Sequence, residues 1–136
     1  MTYGLKELIP GSAYTIYGLE KDGHCAVEEF LSSVEKNDLD ALDSLLALLE
    51  RMANNGPGHN KQKFRDVGND IYEFKAKHLR ICWFYDAGRM VICTHGFDKG
   101  AKKVQSREIK DASKERKAYF EAKKITKIPI TRVTKT

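Results

Sequence analysis

The sequence predicts an α+β fold, in which a small, mainly antiparallel sheet carries an N-terminal helical hairpin on one face and a helix at the C-terminal end. Three segments repeat apolar residues at helical spacing, and short runs rich in aromatic and β-branched residues lie between them. The expected order is strand, helix, helix, strand, strand, strand, helix. With the helices on one face, the other face of the sheet is expected to stay open.

The helical hairpin follows from two consecutive apolar stripes. The first stripe lies in residues 26–34 and the second in residues 39–52, before the helix-stopping run Asn-Asn-Gly-Pro-Gly at 54–58. A third helical pattern covers about 107–124, with cations and carboxylates in neighbouring rows on its outer surface.

Four strands are predicted, in residues 13–19, 71–77, 79–86 and 89–95. A tight turn at 86–88 joins the last two as a hairpin. The first twelve residues resemble a loose start. We expect one domain over 1–124 and a tail over 125–136, which is compatible with an edge strand, a frayed end or an expression remnant.

Composition narrows the class of protein. A formal charge of +5 over 136 residues favours a polyanion or an acidic partner. Three cysteines without CxxC spacing suit thiols in a reducing cytoplasm, and the longest apolar run, 45–49, is too short for a membrane span. A metal site at Cys82, Cys93 and His95 lacks a fourth ligand, so no metal or other cofactor is expected.

Two blocks of sequence resemble a known toxin family. Residues 23–31, GHCAVEEFL, are similar to its G-x-S-P-V-x-E-F-L helix entry, with Cys25 and Ala26 in place of Ser and Pro. IYEFK at 71–75, LRI at 79–81 and THGFDK at 94–99 resemble the Y-E-L-R, Y-R-V and L-H-G-F-x-K-K signatures of the HigB-like, phage-derived branch of the RelE/ParE superfamily. Gly100 stands where a second Lys is common, and Gln105 where a Pro is common.

The resemblance implies a RelE-like fold and the toxin of a type II toxin–antitoxin system. The implied activity is that of a ribosome-dependent mRNA interferase, a metal-independent endoribonuclease that inhibits translation. Its implied partners are messenger RNA, the ribosome and a cognate helix-turn-helix antitoxin of the HigA-like kind, with a dimer of heterodimers as one form of the complex. No membrane partner is expected.

Four side chains are the expected catalytic group. The imidazole of His95 suits acid–base transfer, and the Arg80 guanidinium suits the phosphate, with a salt bridge to Glu73 as its structural alternative. Lys75 and Lys99 would steer the phosphate or transfer protons. The expected RNA-binding cations are Lys77, Lys102, Lys103, Arg107, Lys110 and Lys114.

Two other functions fit the same residues. A ParE-like gyrase poison would use the fold without acid–base chemistry, and a phage-derived protein would act by binding alone. Expression of the chain without its partner is expected to arrest growth, and His95→Ala or Arg80→Ala is expected to relieve the arrest while the protein stays folded.

Overall fold

The computed structural model describes residues 2–58, 64–99 and 104–132. Within these ranges the chain forms eight strands and three helices. In chain order they are β1 (Tyr3–Ile9), β2 (Thr15–Lys21), β3 (His24–Cys25), α1 (Ala26–Asn37), α2 (Leu39–Asn55), β4 (Phe64–Gly68), β5 (Ile71–Ala76), β6 (Leu79–Asp86), β7 (Met90–Asp98), α3 (Val104–Ile125) and β8 (Ile130–Thr131).

The strands form one mixed sheet in the order β4-β5-β6-β7-β2-β1-β8, with β3 paired to β2. The pairs β2–β7 and β1–β8 are parallel, and the other pairs are antiparallel. The predicted fold class is therefore wrong. The sheet is larger and more mixed than expected, and the chain begins with β1 rather than with a helical hairpin.

The N-terminal segment is a strand because it follows the alternation of a half-buried sheet. Tyr3 and Leu5 are buried, and β1 pairs with β2 through residues 3–9. A bulge between Glu7 and Ile9 breaks the alternation within the segment, which explains why the sequence pattern resembles a loose start.

Helices cover both faces of the sheet, so the expected open face is also wrong. The two helices predicted at 26–34 and 39–52 exist as α1 and α2 and pack over one face, around Ile16, Phe74 and Trp83. Helix α3 covers the other face with Ala112 and Tyr119, where β-strand residues form a second core. Its N-terminal half carries the charged residues that define the site below.

A bulge in β7 decides which side chains face α3. Cys82 is opposite His95, whereas Trp83 is opposite Cys93, so the register shifts by one residue at Thr94. Without the bulge, strict alternation would turn His95 toward the face that carries Cys93. With it, Cys93 belongs to the α1–α2 core and Cys82 to the α3 core.

The end of the chain adds an edge to the sheet. Strand β8 pairs with β1 at Leu5 and Lys6, and Ile128 is buried beside it. Of the three interpretations that the sequence leaves open for this segment, the edge strand describes residues 130–131. In the part of the chain that the structure describes, no helix is long and apolar enough to cross a membrane.

Candidate active site

His95 is joined to α3 by a short, charge-assisted hydrogen bond. Its Nε2–H donates to Oε2 of Glu108 at 2.6 Å, and the two side chains are only 20% and 19% exposed. A carboxylate on one ring nitrogen fixes the orientation of an imidazole and stabilises its protonated form. This pair is an arrangement suited to proton transfer.

The other ring nitrogen of His95 faces a hydroxyl that has two alternative partners. Oγ1 of Thr94 lies 3.0 Å from Nδ1 of His95 and 3.3 Å from the carbonyl oxygen of Cys82. When the imidazole is neutral, the hydroxyl donates to Nδ1. When it is protonated, Nδ1–H donates to the Thr94 oxygen, and the hydroxyl donates to the Cys82 carbonyl. Both protonation states are therefore satisfied by rotating one O–H bond.

His95 and Thr94 line a cavity of about 240 Å³ between the sheet and α3. The wall also contains Lys21, His24 and Glu115, and the hydrogen bond from Lys21 to Glu115 raises the pKa of the lysine. Lys21 therefore stays charged at neutral pH, next to two imidazoles. A cavity lined by imidazoles and a lysine–carboxylate pair can exchange protons with a bound ligand.

Lys21, His24 and Glu108 were not among the predicted site residues. Lys21 and His24 flank the Asp22-Gly23 turn as paired residues of β2 and β3. The turn is visible in the sequence as a hairpin signal, so it could have located this pair. The contact between Glu108 and His95 joins elements that are distant in sequence order, and no local pattern indicates it.

Arg80 is buried beneath the sheet surface. Its NH1 donates to the carbonyl oxygens of Lys77 and Leu79, at 2.7 and 2.8 Å, and its Nε lies 3.6 Å from Oε1 of the buried Glu73. These contacts hold the β5–β6 turn, where Lys77 has a φ of +54°. The guanidinium is thus engaged by the protein itself at the position where the sequence predicted a phosphate contact.

The predicted cations of the sheet gather at one end of it. Lys75 is the pairing partner of Arg80, and Arg80 is the partner of Phe97, one row away from Cys82 and His95. Lys77 is exposed in the adjoining turn. The backbone N–H of Lys99 donates to the carbonyl of His78 at 2.8 Å, which brings Lys99 to the same end.

The remaining predicted cations divide into two groups. Arg107, Lys110 and Lys114 are exposed along α3, beside the Glu108 that holds His95. Lys102 and Lys103, with Gly100, lie outside the described residues. The structure thus brings three predicted RNA-binding side chains to the helix that closes the His95 cavity.

The cysteines are buried thiols. Burial raises the pKa of Cys82 and of Cys93 far above the ordinary thiol value, and that of Cys25 to a smaller extent. Cys82 and Cys93 belong to opposite cores, so these thiols are not neighbours on one face. Burial also makes them poor nucleophiles.

The chain is thus a small protein with one mixed sheet, helices on both faces and a histidine–carboxylate pair under the C-terminal helix as its candidate acid–base site. A family model described as Phage derived protein Gp49-like (DUF891) matches residues 29–117, from α1 to the third quarter of α3. The chain belongs to this family, which is a family of RelE/HigB-like toxins. The match includes His95, Glu108 and all the predicted site residues, but not Lys21 or His24. No curated protein matches the chain.

Proposed function

We propose that the chain is the toxin of a type II toxin–antitoxin system and cleaves messenger RNA on the ribosome without a metal ion. The observation that carries the nuclease proposal is the pair of hydrogen bonds made by His95. Its Nε2 is bonded to Glu108, and its Nδ1 is bonded to the Thr94 hydroxyl, which can either donate or accept. Membership of the Gp49-like family supports the toxin class.

In the proposed reaction, the 2′-hydroxyl of RNA attacks the neighbouring phosphorus. The Thr94 hydroxyl gives its proton to Nδ1 of His95 while its oxygen accepts the proton of the 2′-hydroxyl, so Thr94 relays the proton to the imidazole and then donates to the Cys82 carbonyl. Glu108 stabilises the imidazolium that forms. The bond from phosphorus to the 5′-oxygen breaks as the bond to the 2′-oxygen forms, which leaves a 2′,3′-cyclic phosphate on one fragment.

Two further side chains of the cavity complete this proposal. Lys21, which also hydrogen-bonds Glu115, supplies the cation that stabilises the negative charge of the phosphorane. His24, when protonated, donates a proton to the departing 5′-oxygen, so that fragment ends in a hydroxyl. Lys75 and Lys99 steer the phosphate at the end of the sheet.

The remaining predicted cations bind RNA outside the His95 cavity. In this proposal Lys77, Lys102, Lys103, Arg107, Lys110 and Lys114 bind the backbone of messenger or ribosomal RNA, where each contact releases a counterion. The protein acts in the cytoplasm and is held inactive by a helix-turn-helix antitoxin.

The engagement of Arg80 favours a second candidate, a protein that acts by binding alone. A guanidinium that already bonds two carbonyl oxygens and faces Glu73 contributes less to a phosphate than one that is exposed. This candidate keeps the toxin class and drops the cleavage step.

The test is expression of the chain without its partner, followed by primer extension on ribosome-bound messenger RNA. We expect growth arrest and new 3′ ends within translated codons, and we expect His95→Ala to abolish both. His95 is the cleaner choice, because Arg80→Ala would also remove the guanidinium that lies 3.6 Å from the buried Glu73 carboxylate.

Two carboxylates on α3 provide a test variant and its matched control. Glu108→Gln should weaken cleavage, whereas Glu121→Gln, at an exposed carboxylate of the same helix, should leave it unchanged. Arrest with intact messenger RNA would support the binding candidate, and raised DNA breakage would indicate a gyrase poison.

A further inference from the structure

A second pocket, of about 170 Å³, lies at the β5 side of the sheet. Its lining consists of Asp70 from the β4–β5 turn, Tyr72 of β5, Tyr85 of β6 and Arg116 of α3. None of these residues lines the His95 cavity. We call it the Tyr72–Arg116 pocket.

Aromatic rings form one side of the Tyr72–Arg116 pocket. The ring centroids of Tyr72 and Tyr85 are 5.1 Å apart in an edge-to-face arrangement. Tyr72 also stacks on Trp83 at 4.8 Å, and Trp83 stacks on Phe74 at the same distance. The pocket therefore lies at the end of a row of stacked rings, an environment that favours a planar ligand.

The polar side of the pocket retains capacity for hydrogen bonding. NH2 of Arg116 lies 3.7 Å from Oδ2 of Asp70, which is longer than a hydrogen bond, and the guanidinium lies 5.0 Å above the ring of Phe120. Nε of Arg116 is buried and has no hydrogen-bond partner among the described residues. A donor and an acceptor are thus adjacent and not saturated by each other.

We propose that the Tyr72–Arg116 pocket binds a nucleobase of a single RNA strand. Each base presents an acceptor next to an N–H donor on its Watson–Crick edge, which matches the guanidinium of Arg116 and the carboxylate of Asp70. Its ring face matches the tyrosines. A phosphate is a poorer fit, because Asp70 would repel it and Arg116 is the one cation among the described residues of the lining.

The inference rests on the proposed function for the identity of the polymer as RNA. It adds a place on the other flank of α3 where an unpaired base is held while the His95 cavity takes the scissile phosphate.

Trp83 provides a direct readout, because it is the sole tryptophan and stacks on Tyr72. Its fluorescence is followed while the full chain is titrated with the four nucleoside 5′-monophosphates and, separately, with ribose 5-phosphate. We expect at least one nucleotide to change the emission with a saturable dependence, and ribose 5-phosphate to leave it unchanged. No saturable change with any nucleotide, or an equal change with ribose 5-phosphate, would overturn the proposal.

Variants identify the pocket as the source of the signal. Arg116→Ala should weaken nucleotide binding about tenfold, and Arg116→Lys should not restore it, because lysine lacks the planar fork. Arg132→Ala is the matched control, since Arg132 pairs with Glu7 at the opposite edge of the sheet. Equal loss in both alanine variants, or no loss in Arg116→Ala, would contradict the assignment.

This titration separates the two proposals, because it requires no cleavage. His95→Ala should bind nucleotides as the unmodified chain does. Nucleotide binding without any RNA cleavage would support the base pocket and contradict the nuclease proposal. RNA cleavage without nucleotide binding would support the nuclease proposal and contradict the base pocket.

Discussion

At the scale of single residues, Gly96 sets how closely α1 approaches the sheet. It is the partner of Ile81 on β7, and a Cβ built on it would overlap the ring of Phe30 in α1. The Cβ cannot be accommodated unless an aromatic ring in a packed interface moves. The glycine of the family signature is therefore explained by packing, next to the histidine that carries the proposed chemistry.

Gly96→Ala should lower the free energy of unfolding by about 1–3 kcal/mol, because overpacking forces the ring and the helix to shift. Urea unfolding measures the loss. Gly4→Ala is the control, since the nearest atom to its Cβ would be the carbonyl oxygen of Pro129 at an ordinary 3.5 Å. Equal stability of Gly96→Ala and Gly4→Ala would contradict this account of the packing.

The sequence could predict which types of residue form the site, but not how they are arranged. Histidine is a residue type suited to acid–base work, and the family signature around His95 is local, so the sequence could nominate it. The sequence could not indicate that the bulge at Thr94 turns His95 toward α3, nor that Glu108 meets it there. Both depend on contacts between elements that are far apart along the chain.

At the scale of elements, His78 clamps the start of α2 to the end of β7. Its Nε2 lies 2.8 Å from Oδ2 of Asp38, the N-cap of α2, and its Nδ1 lies 2.8 Å from Oδ2 of Asp98. Hydrogen bonds to Asp38 and then to Asp98 raise the pKa of His78 above its ordinary value of 6.5. The bond from His78 lowers the pKa of Asp38 in return.

This clamp should make stability depend on pH. Because the folded state raises the pKa of His78, its contribution is complete below pH 6.5 and is lost as the pH rises through the raised pKa. We expect the melting temperature to fall over this range, and to fall less steeply in His78→Gln. His24→Gln is the control, since His24 is exposed and lies 3.6 Å from Glu29. Parallel curves for the unmodified chain and His78→Gln would exclude the clamp.

Elements differed in how well the sequence indicated them. Helices α1 and α2 were predicted because their apolar stripes are continuous and local. Besides β1, strands β3 and β4 were missed. Strand β3 has two residues, and β4, Phe-Arg-Asp-Val-Gly, has too few apolar residues to show an alternation.

At the scale of the whole molecule, α3 covers the face of the sheet that was expected to be open, so the proposed sites lie beside this helix and not on an open sheet. Its surface is mostly charged, so its sequence does not show which face of the sheet it covers, and the expectation of an open face followed. Ala112 and Tyr119 instead close the second core. The proposed sites therefore flank a helix, with the His95 cavity on one side and the Tyr72–Arg116 pocket on the other.

The most direct test of the central claim is a single-turnover assay of purified chain on ribosomes programmed with a defined messenger RNA. The account predicts fragments that end in a 2′,3′-cyclic phosphate, with the rate reduced about 10²–10⁴-fold in a folded His95→Ala variant. Cleavage by His95→Ala at the unmodified rate, or no cleavage by the unmodified chain, would contradict it.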